Sequence, residues 1–459
     1  MTIIFEILPR RMFMNDKNAI YDARTLGGSK MFLLGLQHMF AMFGATVLVP
    51  AITGIKVSNT LLFAGIGTLF FHLVTKRKVP AFLGSSFAFL GAYLTIAPNG
   101  EPELLTYASF GVACAGLLYL VVAALFKVYG AVKVMRYFPP IVTGPVIVAI
   151  GLCLSGWAVS CCNESWPIAF VAIAVVIVCN IWGKGMIKII PILLGVVASY
   201  VFAIFMGAVD FTKVHEASWI GMPFDYSDTV FSLIGNADVN LLINAAITII
   251  PVSIATIMEH IGDISAISST VGRNYIEDPG LHRTLLGDGF ATSLAALFGA
   301  PANTTYGENT GVLNLTKVYD PRVIRLAAIF AIILSCCPKF AAIIEVMPTA
   351  TLGGVSLILY GMISAVGIRN VVENQVDFTK SRNVIIAALI LVLAVGIKYG
   401  TGADEAIVFH IGQFTIKMSG IATCAIVGIV LNAILPGNDY VFGKSVSGDA
   451  ALDLGRYSE

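Results

Sequence analysis

The chain has 459 residues, of which 12% are charged and 57% hydrophobic, with a mean hydropathy of +0.87. Soluble domains carry about 25% charged residues, so a cytosolic enzyme, a disordered chain and a small secreted disulfide scaffold are poor readings, and a polytopic membrane protein remains. The net charge of +1 offers no surplus for a polyanion, so nucleic acid is not an expected partner.

In chain order, residues 1–30 read as a cytoplasmic N-terminal arm, because Arg10, Arg11, Lys17, Arg24 and Lys30 lie scattered there without the apolar core of a signal peptide. Stretches free of Asp, Glu, Lys and Arg then run over 31–55, 57–75, 79–100, 104–126, 137–163, 165–183, 189–209 and 239–258. Further stretches cover 289–307, 326–338, 346–368, 383–397 and 418–438, with a short apolar piece at 309–316. Most are long enough to cross about 30 Å of hydrocarbon as helix, and together they predict fourteen membrane segments. An even number returns both termini to one side. With that side inside, all of the 28 Lys and Arg except Lys56, Lys213, Lys339, Lys398 and Lys417 fall in the cytoplasm, as the positive-inside rule requires. Residues 438–459 form the expected cytoplasmic C-terminal tail.

Two of the segments are interrupted. Pro80 to Phe89 and Pro301 to Gly311 each place two hydroxyl residues before an aromatic and a small residue, Ser85-Ser86-Phe87-Ala88 against Thr304-Thr305-Tyr306-Gly307. His38 matches Glu259, and Pro140 matches Pro348, at similar offsets. Seven segments per half fit these offsets, and because seven is odd the second half starts on the opposite side, which makes the repeat inverted.

Glu259 stands in an otherwise apolar segment, where an ionised side chain costs about 2.5–3.5 kcal/mol. Asp263, four residues on, shares its helical face. Glu308 follows Gly307 inside the second interrupted segment, where unwound backbone is tolerated only around a polar cavity. The expected pocket has carboxylate acceptors from Glu259 and Glu308, backbone donors near Phe87 and Gly307, and flat faces from Phe87 and Tyr306. Such a pocket suits a flat neutral heterocycle with N–H and C=O edges, and no Lys or Arg falls in the segments that build it. His38 is a candidate proton carrier or a satisfied buried imidazole. His260 points about 100° from Glu259 around the helix and reads as a packing or interface residue. His72 lies near the cytoplasmic end and His282 in a loop, with no role assigned. The cysteines lie mostly inside apolar runs and lack metal-ligand spacing, so no metal and no cofactor is expected. Asn163-Glu164-Ser165 matches a glycosylation triplet.

With these residues in view, the chain resembles the nucleobase-cation symporter-2 family, also called nucleobase-ascorbate transporters, and within it the bacterial uracil permease branch. The resemblance runs from about residue 30 to 436. It is carried by Glu308-Asn309-Thr310-Gly311 through Thr316-Lys317, by Gln37-His38 and the residues to Pro50, by Gly84-Ser-Ser-Phe-Ala-Phe89, by Glu259-His260-Ile261-Gly262, and by Asn303 to Asn309.

The resemblance implies an all-α polytopic protein with a seven-plus-seven inverted repeat and short strands in segments three and ten. A core domain would span 31–128 and 239–340, and a gate domain 137–209 and 346–437. Glu259 and Glu308 would bind substrate with the backbone amides of Phe87 and Gly307, next to Ser86, with packing from Ala45 and Tyr306 and with Tyr360 on the gate side. Proton coupling would involve Glu259, Asp263 and His38, sodium remaining an alternative coupling ion. A homodimer in the plasma (inner) membrane is implied as well. Asp263 departs from the uracil pattern, which has histidine there, and this keeps a xanthine or urate permease as the alternative; a passive channel is a remoter one. No nucleophile with its base and no phosphate loop points to an enzyme.

Overall fold

The computed structural model describes residues 19–402, 405–411, 414–438 and 440. Nearly every charge-free stretch becomes helix. The elements in order are α1 (Gly28–Thr53), α2 (Val57–Val74), β1 (Leu83–Ser85), α3 (Leu90–Ile96), α4 (Pro102–Tyr129), α5 (Ala131–Met135), α6 (Pro140–Cys162), α7 (Trp166–Trp182), α8 (Met186–Ile189), α9 (Pro191–Phe205) and α10 (Thr212–Glu216). After the loop to residue 238 come α11 (Val239–Ile249), α12 (Val252–Val271), α13 (Leu281–Leu297), β2 (Asn303–Thr305), α14 (Gly307–Thr316), α15 (Pro321–Ser335), α16 (Pro338–Glu345), α17 (Thr349–Glu373), α18 (Ser381–Gly400), β3 (Ala406–Ile411), β4 (Phe414–Ser419) and α19 (Gly420–Ile434).

Local chemistry sets many of the boundaries. Proline opens α4, α6, α9, α15 and α16, where its missing N–H costs nothing. Gly54 and Gly272 close α1 and α12 in the left-handed conformation that only glycine adopts freely. Among the described residues, seven helices are long and apolar enough to cross a membrane, and α15 with α16, bent by 86°, makes an eighth candidate. The segments Phe87–Ile96, α7, α9 and α19 are shorter apolar helices.

The expected strands are present and pair with each other. β1 and β2 run antiparallel, with Leu83 opposite Thr305 and Ser85 opposite Asn303. Ser86 N–H donates to Ala302 O at 2.8 Å and Tyr306 N–H to Phe82 O at 3.0 Å, which extends the ladder beyond both strands. Two broken segments thereby satisfy each other's backbone where hydrocarbon would not. A second hairpin, β3–β4, lies between two apolar stretches and was not foreseen by the charge-free criterion. It packs on α11.

Packing is close where glycines meet. α13 lies on α4 and α2, and α15 on α2 and α1, while α17 lies on α6 and α7, and α18 on α6 and α19. A Cβ at Gly116 of α4 would come within 2.2 Å of Ser293 Oγ, and one at Gly289 of α13 within 2.3 Å of the Tyr119 Cβ.

Two expectations shift in position. The ninth stretch, 289–307, is helical from Leu281 to Leu297, because the charged Arg283 and Asp288 sit within the helix; His282 accordingly lies in its first turn and not in a loop. The N-terminal arm of 1–30 falls partly outside the described residues, at 1–18. Beyond them, Ile20 bridges to Val318, Tyr21 OH donates to Val271 O at 2.8 Å, and Ala23 N–H donates to Asp320 Oδ2 at 2.7 Å, so this part is docked on the ends of α12 and α15. Of the expected C-terminal tail, residues 439 and 441–459 lie outside the described residues.

Candidate functional site

The site is built where the β1–β2 pair meets α12. β1 leads through a 3-10 turn (Phe87–Phe89) into α3, and β2 leads into α14. The strands are antiparallel, so the two helices leave the ladder in opposite directions, each with its N-terminal N–H groups turned back toward it.

α12 packs against β2, the 3-10 turn and α14. Its residues Glu259, Gly262, Asp263 and Ala266 share one face, on which Gly262 and Ala266 are exposed and both acids half-buried. On α14, Gly307 and Gly311 are exposed and Glu308 half-buried. A Cβ added at Gly262, Gly307 or Gly311 would meet nothing within 4 Å. The two packed helices thus present three carboxylates beside uncrowded glycines, and we term this shared surface the groove.

Inside this groove Asp263 is held and Glu259 is not. Thr305 Oγ1 donates to Asp263 Oδ2 at 2.7 Å, tying α12 to β2. Glu259 Oε2 is buried and has no hydrogen-bond partner, and the same is true of Ser86 Oγ. Buried polar atoms of this kind are costly unless a ligand, a proton or water satisfies them.

The aromatic expectations fall beside these acids. Ala45, Phe87, Tyr306 and Tyr360 belong to one buried cluster. Phe87 and Tyr360 meet edge to face, with ring centroids 6.0 Å apart. The Tyr306 hydroxyl donates to Ser85 O at 2.9 Å and lies 3.1 Å from Ser85 Oγ, and Thr46 Oγ1 stands 3.3 Å away. The ring is thus fixed by β1 and α1. Gly84 makes room for it, since a Cβ there would come within 2.5 Å of the ring.

His38 is fully buried and does not contact an acid. Asn309 Nδ2 donates to His38 O at 3.0 Å and lies 3.2 Å from His38 Nδ1, which ties α1 to the residue after Glu308. His260 does face away from the groove, as its helical angle requires. Its Nδ1 lies 2.7 Å from Asp288 Oδ2, and both side chains are fully buried. Sequence reasoning missed Asp288, Thr305 and the room at Gly84. Asp288 was discoverable by the argument that singled out Glu259, being an acid in an apolar stretch, but the charge-free run was cut just after it. His72 is buried at the end of α2, with Nε2 2.8 Å from Ala81 O. Asn163 lies in the turn after α6 and accepts from Trp166 Nε1 at 3.0 Å.

Ala88, next to Phe87, borders a separate space. A cavity of about 20 Å³ lies there, lined by Ala88, Gly91, Thr95, Cys153, Lys398 and Ile421 among others, and Lys398 forms an ion pair with Glu405 beside it. This cavity includes neither Glu259 nor Glu308, and it has room for about one water. No group of His, Cys, Asp and Glu among the described residues is arranged to hold a metal ion.

The fold is that of membrane transporters. It is similar to the transmembrane domain of a cyanobacterial bicarbonate transporter, BicA, with a TM-score of 0.60 at 16% identity, covering 91% of this chain and 99% of that one. It is also similar to SLC26A9, with a TM-score of 0.64 at 11% identity, covering 90% of this chain and 66% of that one. Residues 29–402 match the model of the permease family Xan_ur_permease. The chain belongs to this family, that of the nucleobase-ascorbate transporters, and is a transport protein and not an enzyme. Its relatives include the uracil permeases of Bacillus caldolyticus, 43% identical over 91% of this chain and 94% of the relative, and of Bacillus subtilis, 39% identical over 87% and 91%. The uracil permease of Escherichia coli K12 is 38% identical over 87% of this chain and 90% of that one.

Proposed function

We propose that this protein imports uracil together with protons across the plasma (inner) membrane. The observation that carries this reading is the unpartnered, buried Glu259 Oε2 in a groove shared with Glu308 at the start of a half-helix. A pyrimidinedione presents N–H donors for Glu259 and Glu308 and C=O acceptors for the N-terminal amides at Phe87 and Gly307. Phe87, Tyr306, Ala45, Ser86 and Tyr360 would enclose its ring. The relatives' names support a pyrimidine and do not favour the xanthine or urate alternative.

In this reading the chain crosses the membrane fourteen times as an inverted repeat with both termini cytoplasmic, and it works as a homodimer. The core domain, 31–128 and 239–340, carries the site and moves against the gate domain, 137–209 and 346–437, as an elevator or by rocking. Glu259, Asp263 and His38 handle the proton. A protonated Glu259 removes the cost of a buried charge and lets the loaded core cross; release of the proton to the cytoplasm resets the carrier. The three acids share one groove, so they titrate as a set.

Labelled uracil uptake into proteoliposomes under an imposed pH gradient, inside alkaline, tests the proposal. Accumulation that collapses with a protonophore and yields to excess 5-fluorouracil but not xanthine is expected. Uptake indifferent to the gradient removes proton coupling, and competition by xanthine alone removes the pyrimidine reading.

A further inference from the structure

The turn that ends α2 and the first turns of α15 carry two arginines, Arg77 and Arg325, that form no ion pair among the described residues. Arg325 is half-buried, and its Nη1 is fully buried without a hydrogen-bond partner. The charges that act on it are Asp320, Arg77 and Arg322. Asp320 is already committed, since it accepts from Ala23 N at 2.7 Å and from Arg322 N and Nη1 at 2.9 and 3.0 Å. Arg77 is exposed and forms no ion pair among the described residues, and exposed Lys76 beside it forms none either.

This arrangement is held firmly. Lys76 and Arg77 both take left-handed backbone, with φ of 56° and 58°, and Arg77 N–H donates to His72 O at 2.6 Å. α2 and α15 pack side by side, which brings the two ends together. The N-terminal end of α15 adds its own partial positive charge. Neighbouring cations are otherwise occupied: Arg283 Nη1 donates to Val74 O at 3.0 Å, and Lys78 pairs with Asp278.

An apolar stripe leads away from the arginines. Ile329 and Ile333 follow Arg325 at the fourth and eighth positions of the same helix, and Leu73 lies in the last turn of α2, just before the turn that carries Arg77. All three are exposed, Leu73 by 62% and Ile333 by 64%. Positive charge that is short of an anion, continued by an exposed apolar track, matches an amphiphile with an anionic head.

We infer that Arg77 and Arg325 bind the phosphate of an acidic phospholipid whose acyl chains lie along Leu73, Ile329 and Ile333. Inorganic phosphate would neutralise the arginines and leave the apolar track uncovered; the lipid satisfies both. The site lies on the helix pair α2–α15, outside the substrate groove, so the lipid holds these two helices together without touching the acids.

Thermal unfolding of the purified full-length protein in a neutral detergent tests this, titrated in parallel with dioleoyl phosphatidylglycerol, dioleoyl phosphatidylcholine and inorganic phosphate. Phosphatidylglycerol should raise the unfolding temperature saturably and the other two should not. Arg77→Gln and Arg325→Gln should each raise the half-saturating phosphatidylglycerol about fivefold, the effect of losing one cation near an anionic headgroup. Lys184→Gln, at a different cationic turn, should leave it unchanged. Exposed Arg77 has no packing role, so its variant carries the test even where Arg325→Gln fails to fold. An undiminished phosphatidylglycerol response in Arg77→Gln, or an equal rise with inorganic phosphate alone, overturns the inference.

Discussion

Glu259 and Asp263 sit one turn apart on the same helix, yet only Asp263 has a protein partner, the Thr305 hydroxyl. Under the proposed mechanism the free acid is the one that changes partner during the cycle. Replacing Glu259 by Gln should lower uracil affinity about 2- to 10-fold, the value of one hydrogen bond between neutral groups, and should make the residual uptake independent of an imposed pH gradient. Flux assays at two external pH values read both effects. Gly84→Ala acts on the same site through a ring. Its new methyl collides with Tyr306, so uptake should fall while the protein still reaches the membrane at normal levels, measured by surface-resolved immunoblot. Gly311→Ala, with nothing within 4 Å, should fold normally. The acids of the site were legible in the sequence, because a carboxylate in an apolar run must have a reason to be there. Thr305 and Gly84 were not, because their roles depend on which segments pair.

At the scale of elements, buried partners bind helices into pairs. His260 and Asp288 join α12 to α13 with both side chains fully enclosed. Removing one member strands the other, so Asp288→Ala should destabilise the protein by about 3–5 kcal/mol, whereas the double variant His260→Leu with Asp288→Leu should recover much of that loss. A thermal-unfolding cycle in detergent measures the coupling. The crossing of α4 and α13 depends on glycine in the same way. Gly289→Ala drives a methyl into Tyr119 and should cost about 1–3 kcal/mol in the same assay. Helix locations followed from charge-free runs, and helix ends from proline and glycine. The start of α13 did not, since its charges are internal, and hairpin β3–β4 escaped because Glu405 stands just before β3 and Lys417 within β4.

Across the whole molecule, exposed Gly262, Gly307 and Gly311 flank the acids, while a separate cavity of about 20 Å³ beside Ala88 lies next to the Lys398–Glu405 pair. A cysteine placed at Gly311 should be labelled by an impermeant maleimide from the cytoplasmic face of inverted vesicles and not from the outside of right-side-out ones. Equal labelling from both faces would contradict a one-sided opening. The amino-acid sequence by itself determined that the protein lives in a membrane, roughly where its helices run, which two segments break and which acids are out of place. All of these follow from the cost of putting charge or bare backbone into hydrocarbon, which is a local quantity. The tertiary structure decided that the broken segments complete each other's hydrogen bonds, that Asp288 lies against His260, and that Glu259 Oε2 is buried without a hydrogen-bond partner. Those outcomes depend on residues distant in sequence arriving at one place, which no local cost can specify.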